Sequence, residues 1–102
     1  MQEIPIELKN SDTKVFQFTE YFNKSRNKPG HVDQVTALEA VSKAIFYEEQ
    51  VIDREKRHCI IGMSDKFLGK YIRVILLEDF GTIHNAFFDR SAKKMIQTKG
   101  TK

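Results

Sequence analysis

A chain of 102 residues has room for one hydrophobic core and no second domain. Its 40% apolar and 30% charged residues exclude a disordered chain, and no apolar run approaches the roughly 18 residues that span a bilayer. The formal net charge of +3 is unevenly placed: residues 1–56 carry 8 Lys and Arg against 10 Asp and Glu, net −2, and residues 57–102 carry 9 against 4, net +5. Such asymmetry fits either an anionic partner for the second half, nucleic acid foremost, or a basic surface that serves only solubility. The first residues, Met1 to Glu7, lack the basic start and apolar stretch of a signal peptide, so a cytoplasmic setting is expected. The lone Cys59 fits a reducing compartment, and one Cys with three scattered His gives no zinc-like spacing. No metal, cofactor or membrane contact is expected.

Residues 1–14 read as an N-terminal arm or a short edge strand, since Pro5 is tolerated at an edge. Phe16, Phe18, Tyr21 and Phe22 follow as either a short strand or the apolar face of a first helix. Pro29-Gly30 marks a turn. Asp33 is an N-cap candidate, and Val35, Leu38, Ala40, Val41, Ala44 and Ile45 recur at helical spacing, predicting a helix over 34–47. Glu39 and Lys43 form an i,i+4 pair on its far side.

From Gln50 the pattern becomes extended, with Arg54-Glu55-Lys56 as a charged turn and His58–Met63 as a buried strand. Tyr71–Leu77 is the strongest strand. It turns through Glu78–Thr82 into Ile83–Phe88, a hairpin predicted to place Gly81 in the left-handed region and Glu78 opposite Thr82. That register puts Ile72, Val74 and Leu76 on one face with His84, Ala86 and Phe88. A basic segment from Asp89 to Ile96 follows, with residues 97–102 as a disordered tail. The expected fold is α+β: one or two N-terminal helices on a twisted antiparallel sheet of three to four strands.

Arg73 is the sharpest chemical feature, because a buried arginine is costly unless paired or hydrogen-bonded. Either it lines a pocket and clamps a phosphate through two parallel hydrogen bonds, or it pairs with Asp89 or Glu78 and spreads its stem over the sheet. Arg57 and Arg90 fall at strand ends, with Lys93 and Lys94 close behind Arg90. Clustered, these cations match the negative charge that develops on phosphorus during RNA cleavage; dispersed, they are a solvated rim. His31, His58 and His84 are the candidate proton-transfer groups, against the plainer reading of each as a satisfied core or surface histidine. Cys59 lies in an apolar run where thiols are inert. Glu48-Glu49, Asp53, Glu55 and Glu78-Asp79 read as solvated helix-end and turn acids. Tyr71, Phe87 and Phe88 offer rings for base stacking, though eight Phe are more simply core. No phosphate-binding glycine loop, nucleophile elbow or zinc-protease helix is present.

The runs Arg57–Ser64, Tyr71–Ile75 and Ile83–Lys94, with Pro29-Gly30-His31-Val32 before the helix, resemble the BrnT-like ribonuclease toxins across residues 20–96. The resemblance implies a RelE-like fold and ribonuclease activity as the toxin of a toxin–antitoxin pair. It makes Arg57 and Arg90 the phosphate-contacting residues and places Lys28 near the family's basic residue before the turn. This chain departs from the family in having Pro-Gly-His in place of His-Gly, which puts Lys28 and His31 in doubt. The leading expectation is a metal-independent endoribonuclease in which Arg57, Arg73 and Arg90 contact phosphate and His58 or His84 moves protons. Lys28, Tyr71, Lys93 and Lys94 would hold the RNA. The toxin reading carries with it a protein antitoxin or other acidic protein partner. The alternatives are a non-catalytic nucleic-acid-binding module and a small regulatory or immunity-type protein whose interface is the helix at 34–47 with the N-terminal arm.

Overall fold

The computed structural model describes residues 3–9 and 14–100. The N-terminal expectation of an arm or edge strand is replaced, where described, by the helical turn α1 (Ile6–Lys9), whose Leu8 is fully buried against the main helix. Phe16 to Phe22 split between both expected forms. Gln17–Phe18 is the short strand β1, and Glu20–Ser25 is α2, capped by Thr19, whose hydroxyl accepts from Phe22 N–H at 3.1 Å.

The main helix α3 (Gln34–Ser42) starts where expected, with the Asp33 carboxylate accepting from Thr36 N–H at 2.8 Å. It ends sooner than 47. Ser42 Oγ donates to the Glu39 carbonyl at 2.8 Å, and Ile45 N–H donates to the Ile61 carbonyl at 2.8 Å, so the chain is already pairing with the sheet. Phe46 and Tyr47 then face opposite sides of strand β2 (Phe46–Ile52), joining separate clusters, an alternation that only extended backbone allows.

Strand β3 (Glu55–Gly62) pairs antiparallel with β2 through a two-residue turn at Asp53 and Arg54, both at positive φ (51° and 68°), as a type I′ hairpin requires. The turn therefore precedes the expected Arg54–Lys56 position. Glycine is required at Gly62: a Cβ there would lie 1.9 Å from the Ala40 carbonyl oxygen, so α3 rests directly on the β3 backbone. The link to β4 (Ile72–Leu77) is tied to α3 by Glu39, which accepts from Ser64 Oγ and from Asp65 N–H at 3.0 Å, while Lys43 bridges Glu39 (2.9 Å) and Asp65 (2.7 Å).

The hairpin from β4 into β5 (Thr82–Phe88) keeps the expected register at Ile72–Phe88, Val74–Ala86 and Ile75–Asn85. A bulge then shifts Leu76 onto Ile83. His84 consequently leaves the face expected for it, and Ile83 takes the core position at 0% exposure. The left-handed residue is Phe80 (φ 57°), not Gly81, because the Asp79 carboxylate accepts from Gly81 N–H, Thr82 N–H and Thr82 Oγ1 and fixes the turn.

Among the described residues the sheet has five strands in the order β1-β5-β4-β3-β2. β1 runs parallel to β5 and the other neighbours are antiparallel. The α+β class holds, but the sheet is mixed and five-stranded where three to four antiparallel strands were expected. The extra strands arise because β2 replaces the end of the predicted helix and β1 adds beyond β5. One face carries the main core, with Ile60, Ile72, Val74, Leu76 and Ala86 under α3 and Phe22 of α2. The opposite face is covered at one end only, by α4 (Ala92–Gly100), whose Ala92, Met95 and Ile96 pack with Phe46, Ile61 and Tyr71. Residues 97–100, expected in a disordered tail, continue that helix; 101 and 102 lie outside the described residues. No helix of the described residues is long and apolar enough to cross a membrane.

Candidate functional site

The three arginines expected to act together are separated by the sheet. Arg57 pairs in register with Leu77 at the far end of β4, whereas Asp89, beside Arg90, donates its N–H to Tyr71 at the start of β4 (3.0 Å). Six residues of strand, on the order of 20 Å, lie between those ends. Arg73 stands between them and is spoken for. Its Nη2 meets Asp89 Oδ2 at 2.6 Å, with side-chain exposures of 18% and 10%, and Met95 of α4 covers it with Sδ at 3.9 Å. Burial pushes the Asp89 carboxyl up, but hydrogen bonds from Ser91 and the Arg73 charge outweigh it and hold the pKa below the usual range. Of the two readings of Arg73 the ion pair with Asp89 is the one the structure holds, while Nε of the same guanidinium is buried without a hydrogen-bond partner.

His58 is likewise occupied. Its ring lies flat on Phe80 at 3.6 Å between centroids and is 2% exposed. Nε2 is 3.2 Å from the Glu78 carbonyl and Nδ1 is 2.7 Å from Tyr47 Oη. A carbonyl can only accept, so Nε2 carries the proton and Tyr47 donates to Nδ1. Both nitrogens are used in holding the β4–β5 turn against β2, and none is left for a ligand.

At the uncovered end of the second face, the bulge delivers His84 beside Arg57. Together with Tyr21, Ile75, Asn85 and Asp53 they line a cavity of about 210 Å³. Tyr21 stacks on the imidazole at 4.8 Å, and Thr19 Oγ1 holds Nδ1 at 3.1 Å. Nε2 has no partner among the described residues. Burial, and then the Arg57 charge, lower the pKa of His84 below its ordinary value, so the neutral imidazole predominates near neutrality. Arg57 uses two of its five N–H donors, to Glu55 (2.8 Å) and the Lys56 carbonyl (3.0 Å), and its side chain is only 16% exposed. Glu55 is 66% exposed, so this pair is weak and open to exchange for a ligand anion.

At the opposite end, Lys70, Tyr71, Phe88, Arg90 and Lys93 line a second cavity of about 240 Å³. Lys94 is exposed on α4 and does not line it, and Lys28 is exposed in the turn after α2, apart from both cavities. His31 lies beside Phe87, with its Nδ1 buried and unpartnered, and Cys59 is buried in the middle of β3. No group of three or more His, Cys, Asp or Glu among the described residues is placed to hold a metal ion.

Sequence reasoning did not single out Thr19, Tyr21, Asn85 or Lys70. Thr19 and Tyr21 come to His84 only through the parallel β1–β5 pairing, and Asn85, its neighbour in the chain, joins it in one cavity only through the bulge; neither leaves a local pattern. Lys70 carried a readable signal, standing next to Tyr71 before the strongest strand. Comparisons with known protein families, curated proteins and solved structures return no match.

Proposed function

We propose that this protein binds single-stranded RNA at the uncovered end of its sheet and cleaves it, with side chains rather than a metal ion supplying the proton transfer and charge stabilisation. The observation that carries this reading is the pairing of His84 and Arg57 in one cavity. A depressed imidazole with a free Nε2 faces the same space as a guanidinium with unused donors.

Nε2 of neutral His84 takes the proton from a ribose 2′-hydroxyl as that oxygen attacks the adjacent phosphorus. Arg57 binds the non-bridging oxygens, where negative charge grows in the five-coordinate transition state. The bond from phosphorus to the 5′-oxygen breaks, and the leaving oxygen takes a proton from the imidazolium directly or through water. The products are a 2′,3′-cyclic phosphate and a 5′-hydroxyl end, and the imidazole returns neutral. Thr19 and Tyr21 orient the ring.

A role as the toxin of a toxin–antitoxin pair rests on the resemblance of residues 57–64, 71–75 and 83–94 to the BrnT-like toxins. An acidic antitoxin would suit the basic second half of the chain. The test is cleavage of a 5′-labelled unstructured RNA by the purified protein, resolved on a gel. His84→Ala and Arg57→Ala should each lower the rate by about 100-fold or more, in line with removing one acid–base or charge-stabilising group. Salt-sensitive binding with no cleavage by the unsubstituted protein would establish a binding module instead.

A further inference from the structure

The cavity at the far end of the sheet has features that the cleavage chemistry does not use. Lys70, Arg90 and Lys93 surround it, and all three are exposed. None of them has an ion-pair partner among the described residues, and the carboxylate that lines the cavity with them, Asp89, is engaged by Arg73 and Ser91. Its walls include the rings of Tyr71 and Phe88, and Lys70 Nζ lies 5.0 Å from the Phe88 centroid. Phe88 is itself braced edge-on by Phe67 at 5.0 Å. Cations beside rigid rings are the arrangement that holds a nucleotide unit by its phosphate and its base together. At about 240 Å³ the cavity falls below the roughly 300 Å³ at which pockets enclose whole small molecules, so it suits one unit of a polymer.

We infer that this cavity is a second RNA subsite, which seats one nucleotide of a single strand against Tyr71 and Phe88, with Lys70, Arg90 and Lys93 on its phosphates. The inference rests on RNA being the ligand, as proposed above, but not on cleavage. Arg57 lines the first cavity and Arg90 the second, at the two ends of β4 and so on the order of 20 Å apart. Only a strand of several nucleotides reaches both, so the subsite selects for length and for single-strandedness. A base can stack there only when it is not paired.

The test uses a fluorescent RNA decamer and His84→Ala protein, so that the probe survives the measurement. Adding Arg90→Ala and Lys93→Ala removes two exposed cations and no buried contact. It should weaken binding at about 100 mM salt by roughly tenfold or more and reduce the slope of log affinity against log salt by about 1.4. Tyr71→Leu, which keeps an apolar side chain in the α4 contact, should weaken binding by about 5- to 150-fold, the range for losing one stacked base. A duplex decamer should bind more weakly than the single strand. Affinity within twofold for all these variants overturns the subsite, as does stronger binding to vesicles containing anionic lipid than to RNA. If the unsubstituted protein binds in this pattern yet never cleaves, the catalytic reading fails and the subsite stands. If it cleaves through His84 while Arg90, Lys93 and Tyr71 are indifferent to affinity, the subsite alone fails.

Discussion

Gly62→Ala tests the packing that sets the whole arrangement. The added Cβ would lie 1.9 Å from the Ala40 oxygen, 2.7 Å from its carbonyl carbon and 3.0 Å from its Cα. Ordinary carbon contacts are about 3.5 Å or more, so α3 or β3 must retreat by roughly 1.5 Å. The obstruction is backbone on both sides, and no rotamer change relieves it. Ala37, Ala40 and Val41, all 0% exposed, would be lifted from Ile60, Ile72 and Val74. Overpacking of this kind costs about 1–3 kcal/mol, and the lifted contacts put the expectation at the upper end. Replacing glycine within a strand gives back about 0.5–1 kcal/mol, for a net loss of about 2 kcal/mol. For a chain of this size that is a fall in Tm of roughly 8–16 °C, read by circular dichroism and confirmed by urea titration. An unchanged or higher Tm would refute the close approach of α3 to β3.

Asp89→Asn leaves Arg73 without its countercharge and should destabilise by about 3 kcal/mol, with Arg73→Met in the same chain restoring most of the loss. A double-mutant cycle by urea unfolding measures the coupling, and additive losses would contradict the ion pair. Glu39 is held down to about 2, by Ser64 first, then Asp65 N–H and Lys43, against an ordinary value of 4.5. A depressed carboxyl contributes stability that is present above about pH 4.5 and lost as pH falls toward 2. The urea midpoint should decline over that window, and Glu39→Gln should flatten the decline; an unchanged slope counts against the network. The cleavage rate should rise with pH through the lowered pKa of His84 and be near its plateau by pH 7. A rate still climbing steeply above pH 7 would show a different base.

The α+β class, the start of α3 with its Asp33 cap, the buried strand from His58 to Gly62 and the β4–β5 register as far as Ile75 were legible because each follows from local periodicity or turn chemistry. What was hidden was decided by pairing across the sheet. Phe46 and Tyr47 suit a helix end as well as a strand, and only Ile61 and Ile60 on the neighbouring strand select the latter. Phe16 and Phe18 allowed a short strand as readily as a helix face, and β1 is fixed as a strand by the N–H groups of Gln17 and Thr19 donating to the Gly81 and Ile83 carbonyls. The same limit applies to function. Arg73 in an apolar strand was correctly singled out as needing a partner, but sequence could not choose between Asp89 and a phosphate. Arg57 and Arg90 both stand at strand ends, and only the antiparallel order of β3, β4 and β5 shows that the ends are opposite. The bulge after Ile75 moves His84 to the other face and so replaces an expected three-arginine cluster with an arginine–histidine pair.

The central claim, that His84 and Arg57 carry out transphosphorylation, is tested most directly by the ends left on a defined RNA. An unstructured dodecamer incubated with the protein in the presence of a chelator should yield fragments whose masses show 2′,3′-cyclic phosphate and 5′-hydroxyl termini. Those fragments should be lost in His84→Ala protein that melts at the same temperature as the unsubstituted chain. An intact dodecamer, fragments ending in 5′-phosphate, or undiminished cleavage by His84→Ala would contradict the account.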